Sequence, residues 1–199
     1  MKRWILGLTG GVGCGKSTVL DVLRKEYQAQ VIEADRVAHE LMGPNGKCSQ
    51  EIARAFGTEI LTEEGAVDRA KLAPIVFADE EKRRLLNRLV HPAVKQEIRK
   101  RIRGSQASLI VIEAALLLEE HYEEICDEIW YVYADRETRI RRLEISRGYS
   151  RERALSIMDS QLTEEEFRAG CQAVLDNSGT PQQTETALAK LMRERDIRP

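Results

Sequence analysis

Glycine, lysine and serine residues near the start of the chain are spaced for holding phosphate groups. Residues 10–17 read GGVGCGKS and fit the pattern G-x-x-x-x-G-K-[ST]. Glycines in such a loop allow consecutive backbone N–H groups to converge on an anion, because no Cβ atom stands in the way. The amine of Lys16 can reach the β- and γ-phosphates of a nucleotide, and the hydroxyl of Ser17 can ligate Mg²⁺. The residues that this pattern predicts to bind nucleotide phosphates are Gly11, Val12, Gly13, Cys14, Gly15, Lys16, Ser17 and Thr18.

Two acidic side chains follow apolar runs that are typical of buried strands. Asp35 comes shortly after Val31-Ile32, and Glu113 ends the run 109–112. At the carboxyl end of a strand, Asp35 could orient an acceptor hydroxyl and take its proton, or it could only cap a helix that begins at Arg36. Glu113 could hold a water bound to Mg²⁺, or neighbouring backbone amides could satisfy its carboxylate.

Arginines are concentrated in two predicted helices, residues 135–146 and 150–161. Most of them are expected to lie on a solvated face, as runs of charge usually do. Arg139 and Arg142 share a helix face because of their i, i+3 spacing, so they could bring two guanidinium groups onto phosphates. The arginines considered in this segment are Arg136, Arg139, Arg142, Arg147, Arg151 and Arg153.

Three further residues each have a functional and a structural interpretation. His91, which precedes Pro92, could line an acceptor pocket or cap a helix. Asn177 follows the last predicted strand and could face an adenine, or it could serve in a turn before Gly179. Cys14 could be sensitive to oxidation, although any small residue would satisfy its place in the loop.

Predicted strands and helices alternate along the chain and position these residues. A strand pattern precedes the loop and a helix pattern follows it, which disfavours the alternative of a simple glycine-rich turn. The alternation favours a parallel sheet of about five strands covered by helices on both faces. Strands are predicted from Trp4 and at 31–32, 109–112, 129–133 and 173–175. Helices are predicted at 17–27, 36–42, 49–56, 68–102 (two or three helices, with Asp79 as an N-cap and an interruption at His91-Pro92), 135–146, 150–161, 163–171 and 184–195, with a connecting loop at 57–67.

The composition favours one domain with a small-molecule ligand. The chain has 199 residues, and 31 basic against 33 acidic residues leave a net charge of −2. This balance favours neither nucleic acid nor a membrane surface as a partner. The 4 cysteines lie far apart with no C-x-x-C pair, which argues against a disulfide framework or a zinc site and favours reduced thiols. Without a cleavage site or a run of about 18 apolar residues, the sequence predicts a cytoplasmic protein.

The motifs, in this order, resemble the dephospho-coenzyme A kinase family (CoaE), and the resemblance spans nearly the whole chain. The phosphate-binding loop occurs in many nucleotide kinases, whereas the acidic residues at 33–35, His91-Pro92 and the segment 176–179 are much more specific. The stretches that carry the resemblance are 8–18, 31–35, 65–69, Leu72, 76–77, 89–92, 116–119, Gln161 and 176–179.

The resemblance implies an α/β P-loop NTPase fold similar to adenylate kinase, with three α/β/α layers, in a single domain of residues 1–199. A CoA-binding helical region would be inserted at about 36–103 and a helical lid at about 136–171. It also implies ATP- and Mg²⁺-dependent phosphorylation of the ribose 3′-hydroxyl of dephospho-CoA, the final step of coenzyme A biosynthesis. The chain is expected to be a monomer or a weak homo-oligomer.

The resemblance also assigns roles to particular residues. Asp35 falls on the family's presumed base, and Arg142 falls on its lid arginine. Combined with the assignments from residue type, the predicted site contains the catalytic residues Asp35, Lys16 and Arg142, the additional ATP-binding residues Arg139 and Asn177, the substrate-binding residues Asp35, His91 and Leu116, and the metal-binding residues Ser17 and, through water, Glu113.

The sequence departs from the family pattern at three places. Glu33 replaces the first aspartate of the family's Asp-Ala-Asp, which could change how the water shell of the metal is held. Ala115 replaces a proline and says little about chemistry. A second lid arginine, common in the family four residues after Arg142, would fall on Ser146, with Arg147 one position away.

Three other functions are compatible with a phosphate-binding loop. Another small-molecule or nucleotide kinase would share both the loop and the lid, and a panel of acceptors would separate it. A nucleotide-dependent switch would be expected to carry N-K-x-D and an early D-x-x-G, but the D-x-x-G here lies at 176–179. A nucleic-acid motor is disfavoured by the size of the chain and by the lack of a basic stripe.

Overall fold

The apolar runs of the sequence form a five-stranded sheet in the order β2-β3-β1-β4-β5. The strands are β1 (Trp4–Thr9), β2 (Gln30–Glu33), β3 (Leu109–Glu113), β4 (Glu128–Tyr133) and β5 (Ala173–Asp176). The β1–β3, β1–β4 and β4–β5 pairs are parallel, with Trp4 opposite Leu109 and Trp130 opposite Ala173. Since parallel strands end at the same edge, the segments that follow β1, β3, β4 and β5 meet there. The five-stranded α/β prediction is confirmed.

The computed structural model describes residues 3–197, so both ends of the predicted domain 1–199 lie outside the described residues. The chain divides into two compact units, one formed by the residues up to Val31 and from Gln106 onward, and the other by Ile32–Ser105. The sequence predicts the inserted helical region at about 36–103, and the second unit spans Ile32–Ser105. The helices are α1 (Lys16–Glu26), α2 (Ala34–Leu41), α3 (Lys47–Phe56), α4 (Arg69–Phe77), α5 (Glu80–Gly104), α6 (Arg136–Arg147), α7 (Arg151–Asp159), α8 (Glu164–Gly170) and α9 (Pro181–Glu194), with short 3₁₀ turns at Thr58–Ile60 and Tyr122–Glu124.

In the first unit the two faces of the sheet bury different residues. Alternate side chains of β1 and β4 pack with those of α1 and α9 in one apolar cluster, which includes Leu6, Leu8, Leu23, Trp130, Val132, Leu188 and Met192. On the opposite face, the ring of Tyr131 stacks on Phe167 of α8 at 4.7 Å. Alternation of side chains along each strand therefore sorts the residues of β4 between two helical layers.

In the second unit, α2, α3 and α4 pack against the long helix α5. Apolar residues supply the packing, and those that are buried include Val37, Ile52, Leu72, Val90, Val94 and Ile98. Asp79 caps α5 by accepting hydrogen bonds from the N–H groups of Glu81 and Lys82, as its position in the sequence predicts.

Two local predictions for the second unit are wrong. Helix α5 continues through His91-Pro92, where an interruption was predicted. A proline inside a helix costs about 3 kcal/mol, but burying each apolar side chain such as Val90 or Val94 contributes about 1.5–3 kcal/mol, so packing outweighs the break. Helix α2 begins at Ala34, so Asp35 lies in its first turn and is not its N-cap. The connecting loop predicted at 57–67 is present and contains a 3₁₀ turn and an antiparallel bridge.

Candidate nucleotide-binding site

The predicted phosphate-binding loop leads from the end of β1 into α1 and needs glycine at defined positions. Gly13 and Gly15 have φ angles of 78° and 86°, in a region that residues with a Cβ rarely adopt. At Gly15 a Cβ would also collide with the side-chain amide of Asn177, and at Gly11 with the guanidinium of Arg139. The loop is therefore shaped both by its own backbone and by the side chains packed around it.

Side chains of this unit bind the backbone carbonyls of the loop. Lys16 Nζ donates to Gly10 O at 2.7 Å, and Arg139 Nε donates to Val12 O at 2.8 Å. The carbonyl of Cys14 accepts from Asn177 Nδ2 at 2.7 Å and from Arg142 Nη1 at 3.2 Å.

These carbonyl contacts fix the direction of the loop amides. In a trans peptide the C=O of one residue and the N–H of the next point in opposite directions. Holding the carbonyls of Gly10, Val12 and Cys14 therefore turns the N–H groups of Gly11, Gly13 and Gly15 away from the side chains that hold them. Such an arrangement of amides at the start of a helix is suited to a phosphate group.

Both the N–H and the C=O of Val12 form hydrogen bonds with side chains. Its N–H donates to Gln161 Oε1 at 2.8 Å, and its carbonyl accepts from Arg139, which also donates to Gln161 Oε1 at 3.2 Å. The side chain of Val12 packs against a small apolar cluster formed by α6 and α7. Gln161 is among the residues that carry the family resemblance, but it is not among the predicted site residues.

The arginines of α6 and α7 divide into two groups. Arg139 and Arg142 bind the loop, and Arg142 Nη2 also donates to Asn177 O at 2.8 Å. The other arginines considered above have different partners. Arg136 pairs with Asp159, Arg151 donates to Glu137, and Arg147 and Arg153 stack on Tyr149. At the position of the missing second lid arginine, the Ser146 hydroxyl donates to the carbonyl of Arg142 within the helix.

The segment Asp176–Gly179 connects the ends of β4 and β5 to the loop. The N–H of Asn177 donates to Tyr133 O at 2.7 Å, and Ser178 Oγ accepts from the N–H of Asp135 at 2.9 Å. Asp135 is the N-cap of α6, and the hydrogen bonds that it accepts from Thr138 hold the pKa of its carboxyl below the ordinary value. The segment therefore sets the position at which α6 begins, and with it the approach of Arg139.

The side chain of Asn177 is directed to the loop. It is 3 % exposed, and its Nδ2 lies 2.7 Å from Cys14 O and 3.4 Å from Gly15 O. Its Oδ1 accepts from the hydroxyl of Thr184 on α9 at 2.7 Å. These partners favour a structural role for the amide, and the contact of Asn177 with an adenine stays a prediction.

Lys16, Glu113 and Cys14 lie at the base of the loop. Lys16 Nζ is 3.7 Å from Glu113 Oε1, and their side chains are 16 % and 15 % exposed. Burial raises the pKa of the Cys14 thiol, so the thiol stays protonated and unreactive near neutral pH. This favours the structural interpretation of Cys14.

The predicted Mg²⁺ ligands are oxygen donors of the kind that this ion prefers. Ser17 is exposed in the first turn of α1, and Glu113 ends β3. Within residues 3–197 there is no group of three or more His, Cys, Asp and Glu side chains that could hold a metal. One hydroxyl and one carboxylate fit the usual binding of Mg²⁺ in kinases, where substrate phosphates and water complete the shell.

The predicted acceptor-side residues are distributed over both units. Asp35 is exposed in the first turn of α2, and His91 is half-buried in α5, both in the second unit. Leu116 follows β3 in the first unit and is 45 % exposed. Their contacts with an acceptor remain predictions.

A cavity of about 330 Å³ opens beside Arg139 and Gln161 in the first unit. Its wall includes Tyr131, Met158 and Leu162. Burial raises the pKa of Tyr131 to about 12, so its hydroxyl keeps its proton near neutral pH. The volume falls in the range of ligand pockets.

Two properties of the whole described chain bear on the predictions from composition. The four cysteines all lie in the described part and form no disulfide bond. Across residues 3–197, none of the helices combines the length and the apolar character that crossing a membrane requires.

Comparison with known proteins assigns the family. The model of the CoaE dephospho-CoA kinase family matches residues 4–183. A dephospho-CoA kinase of Carboxydothermus hydrogenoformans is 39 % identical over 193 residues, which cover 96 % of this chain and 93 % of the relative. The crystal structure of TT1252 from Thermus thermophilus matches with a TM-score of 0.82 and 33 % identity, covering 98 % of each chain. A dephospho-CoA kinase from Campylobacter jejuni shares the fold, with a TM-score of 0.72, 24 % identity and 98 % coverage of each chain.

The family match extends over both units and over the loop, the His91-Pro92 pair and the segment 176–179. It confirms the resemblance suggested by the motifs and the P-loop kinase fold. The chain belongs to the dephospho-CoA kinase family.

Proposed function

We propose a role for each site residue of this chain in the reaction that family membership assigns to it. That reaction is the ATP-dependent phosphorylation of the ribose 3′-hydroxyl of dephospho-CoA, the final step of coenzyme A biosynthesis. The observation that carries the proposal is the loop from Gly10 to Thr18, whose carbonyls accept hydrogen bonds from Lys16, Arg139, Arg142 and Asn177.

The loop binds the phosphates of ATP through the backbone N–H groups of Gly11, Gly13, Gly15 and Lys16 at the start of α1, while the N–H of Val12 is bound to Gln161. Lys16 contacts the β- and γ-phosphates, and Arg142 stabilises the negative charge that spreads over the transferred phosphoryl group in the transition state. Its hydrogen bond to Cys14 O supports this role. Arg139 acts from the same face of α6 and holds Val12. Asn177 acts on the loop carbonyls, a role supported by its short contact with Cys14 O.

Asp35 acts on the acceptor. It orients the 3′-hydroxyl, whose oxygen attacks the γ-phosphorus while the bond to the β,γ-bridging oxygen breaks and ADP leaves. The proton of the hydroxyl passes to the Asp35 carboxylate. The family resemblance supports this role, and it also supports contacts of His91 and Leu116 with dephospho-CoA.

Ser17 and Glu113 would hold Mg²⁺, the serine directly and the glutamate through water. When bound, the ion supplies positive charge at the phosphate oxygens of ATP. Glu33, which is one methylene longer than the family's aspartate, lies at the end of β2.

We also propose that the chain acts in the cytoplasm, as a monomer or a weak homo-oligomer, without a nucleic-acid or membrane partner. Its net charge of −2 supports small molecules as its ligands. The place of its family in coenzyme A biosynthesis supports the cytoplasm.

The test is a coupled assay of ADP release with ATP and Mg²⁺, in which dephospho-CoA is compared with adenosine, AMP and CMP as acceptors. We expect ADP release that depends on dephospho-CoA and a product phosphorylated at the ribose 3′ position by mass spectrometry and NMR. Equal turnover with AMP or CMP would assign the chain to another nucleotide kinase activity.

A further inference from the structure

We propose that Thr184 of α9 is a positioning residue for ATP, which acts through Asn177 on the two loop amides that lead into α1. The proposal rests on the assignment of the loop to ATP phosphates. Thr184 is 1 % exposed, and its Oγ1 lies 2.7 Å from Asn177 Oδ1.

The direction of each hydrogen bond follows from what the partners can do. The carbonyls of Cys14 and Gly15 only accept, so the NH₂ of Asn177 must face them. The side-chain oxygen of Asn177 then faces Thr184, and the threonine hydroxyl must donate. The two loop carbonyls therefore set which way the amide of Asn177 is turned, and the Thr184 hydroxyl holds it in that orientation by donating to Oδ1.

The amide of Asn177 in turn fixes two peptide planes. Because the N–H of each trans peptide points away from its C=O, holding Cys14 O and Gly15 O directs the N–H groups of Gly15 and Lys16 to the other side of the loop. These are the amides at the junction between the loop and α1. A reversed Asn177 would present its oxygen to two carbonyl oxygens, and the loop would lose this support.

Capping and apolar packing hold helix α9 in position for the contact between Thr184 and Asn177. It begins with a capping box between Thr180 and Gln183, and Leu188 and Met192 are buried in the same apolar cluster as residues of α1. Replacement of a single hydroxyl should therefore change the contact with Asn177 without moving the helix.

The experiment compares Thr184→Val, which keeps the shape but removes the hydroxyl, with Thr184→Ser, which keeps the hydroxyl. Binding of AMP-PNP with Mg²⁺ is measured by calorimetry. We expect Thr184→Val to weaken binding roughly three- to tenfold, the effect of one lost buried hydrogen bond, and Thr184→Ser to stay within about twofold of wild type. The KM for ATP should rise in the same ratio, while the KM for dephospho-CoA stays constant.

Thr186→Val is the matched control, because the Thr186 hydroxyl donates to Gln182 O within the same helix and is exposed. It should bind AMP-PNP like wild type. In ¹H–¹⁵N spectra, Thr184→Val should shift the amide signals of Gly15 and Lys16, and Thr186→Val should not.

If Thr184→Val does not fold, Thr184→Cys, a weaker donor, should show the same spectral shifts and weaker binding than Thr184→Ser.

A double-mutant cycle with Asn177→Ala tests the route. If Thr184 acts through Asn177, then Thr184→Val should weaken binding by less than about twofold in the Asn177→Ala background. Additive effects, or binding by Thr184→Val within about twofold of wild type, would overturn the proposal. A wild-type chain that binds AMP-PNP but does not phosphorylate dephospho-CoA would contradict the proposed function and leave this inference standing.

Discussion

The phosphate-binding loop and the helical unit Ile32–Ser105 use polar side chains in opposite ways. Around the loop, Arg139, Arg142 and Asn177 bind backbone carbonyls and are largely shielded from solvent. In the helical unit, several charged side chains bind each other on the surface, as Arg84 does with Glu80. Polar side chains around the loop hold its backbone in shape. Charged side chains on the surface of the helical unit add little to helices that apolar packing already stabilises.

This contrast predicts that similar substitutions will have very different effects in the two regions. Loop contacts should affect nucleotide binding and catalysis strongly. Surface ion pairs of the helical unit should affect stability weakly and the chemistry of phosphoryl transfer hardly at all.

The largest effect is expected for Lys16→Ala. Loss of the amine removes a cation from the phosphates and the hydrogen bond to Gly10 O, so kcat/KM for ATP should fall roughly 10³-fold, the upper range for a lost electrostatic donor. Lys100→Ala, which removes a 72 % exposed amine paired with Glu97, is the control. If both variants release ADP at the wild-type rate, the assignment of the loop to ATP binding is wrong.

Asp35→Asn is expected to have a large effect although Asp35 lies in the helical unit, because this residue has a proposed chemical role. We expect kcat to fall roughly 10²-fold or more, since the base is lost, with the affinity for AMP-PNP unchanged. Asp21→Asn, on the exposed side of α1, should behave like wild type. If turnover of Asp35→Asn is close to wild type, Asp35 is not the base.

Arg142→Met and Arg84→Met compare the two regions directly. Arg142 binds the carbonyls of Cys14 and Asn177, and its loss should lower kcat/KM for ATP about 10- to 100-fold, since both a cation and the hold on the loop disappear. Arg84, which is 59 % exposed, should leave the rate and the melting temperature unchanged. Similar rates for the two variants would show that contacts with loop carbonyls do not matter for catalysis.

The same difference explains what could be predicted from the sequence. The loop and the strands were predictable because their signals are local: glycines and Lys16 at fixed spacing, and apolar runs that end in polar residues. Asn177 and the carbonyl of Cys14 are 163 residues apart in the chain, and no local pattern reveals that they meet. The contact of Gln161 with the N–H of Val12, 149 residues away in the chain, was missed for this reason. The passage of α5 through Pro92 was missed because packing against α2, α3 and α4 decides it.

The smallest effect concerns pH. A hydrogen bond from Arg101 holds the pKa of Glu40 below its ordinary value of 4.5, so the pair stabilises the folded state above that pH. As the pH falls from about 5 through the lowered pKa of the folded state, Glu40 takes up a proton and the contribution is lost. Urea unfolding should therefore show a free energy of unfolding that decreases from pH 5 to pH 3 less steeply in Glu40→Gln than in wild type. Because Glu40 is 43 % exposed, salt should weaken the difference. The contacts of Arg142 with carbonyls involve no titrating partner. An equal decrease in Glu40→Gln and wild type would mean that the Glu40–Arg101 pair does not stabilise the folded state near pH 5.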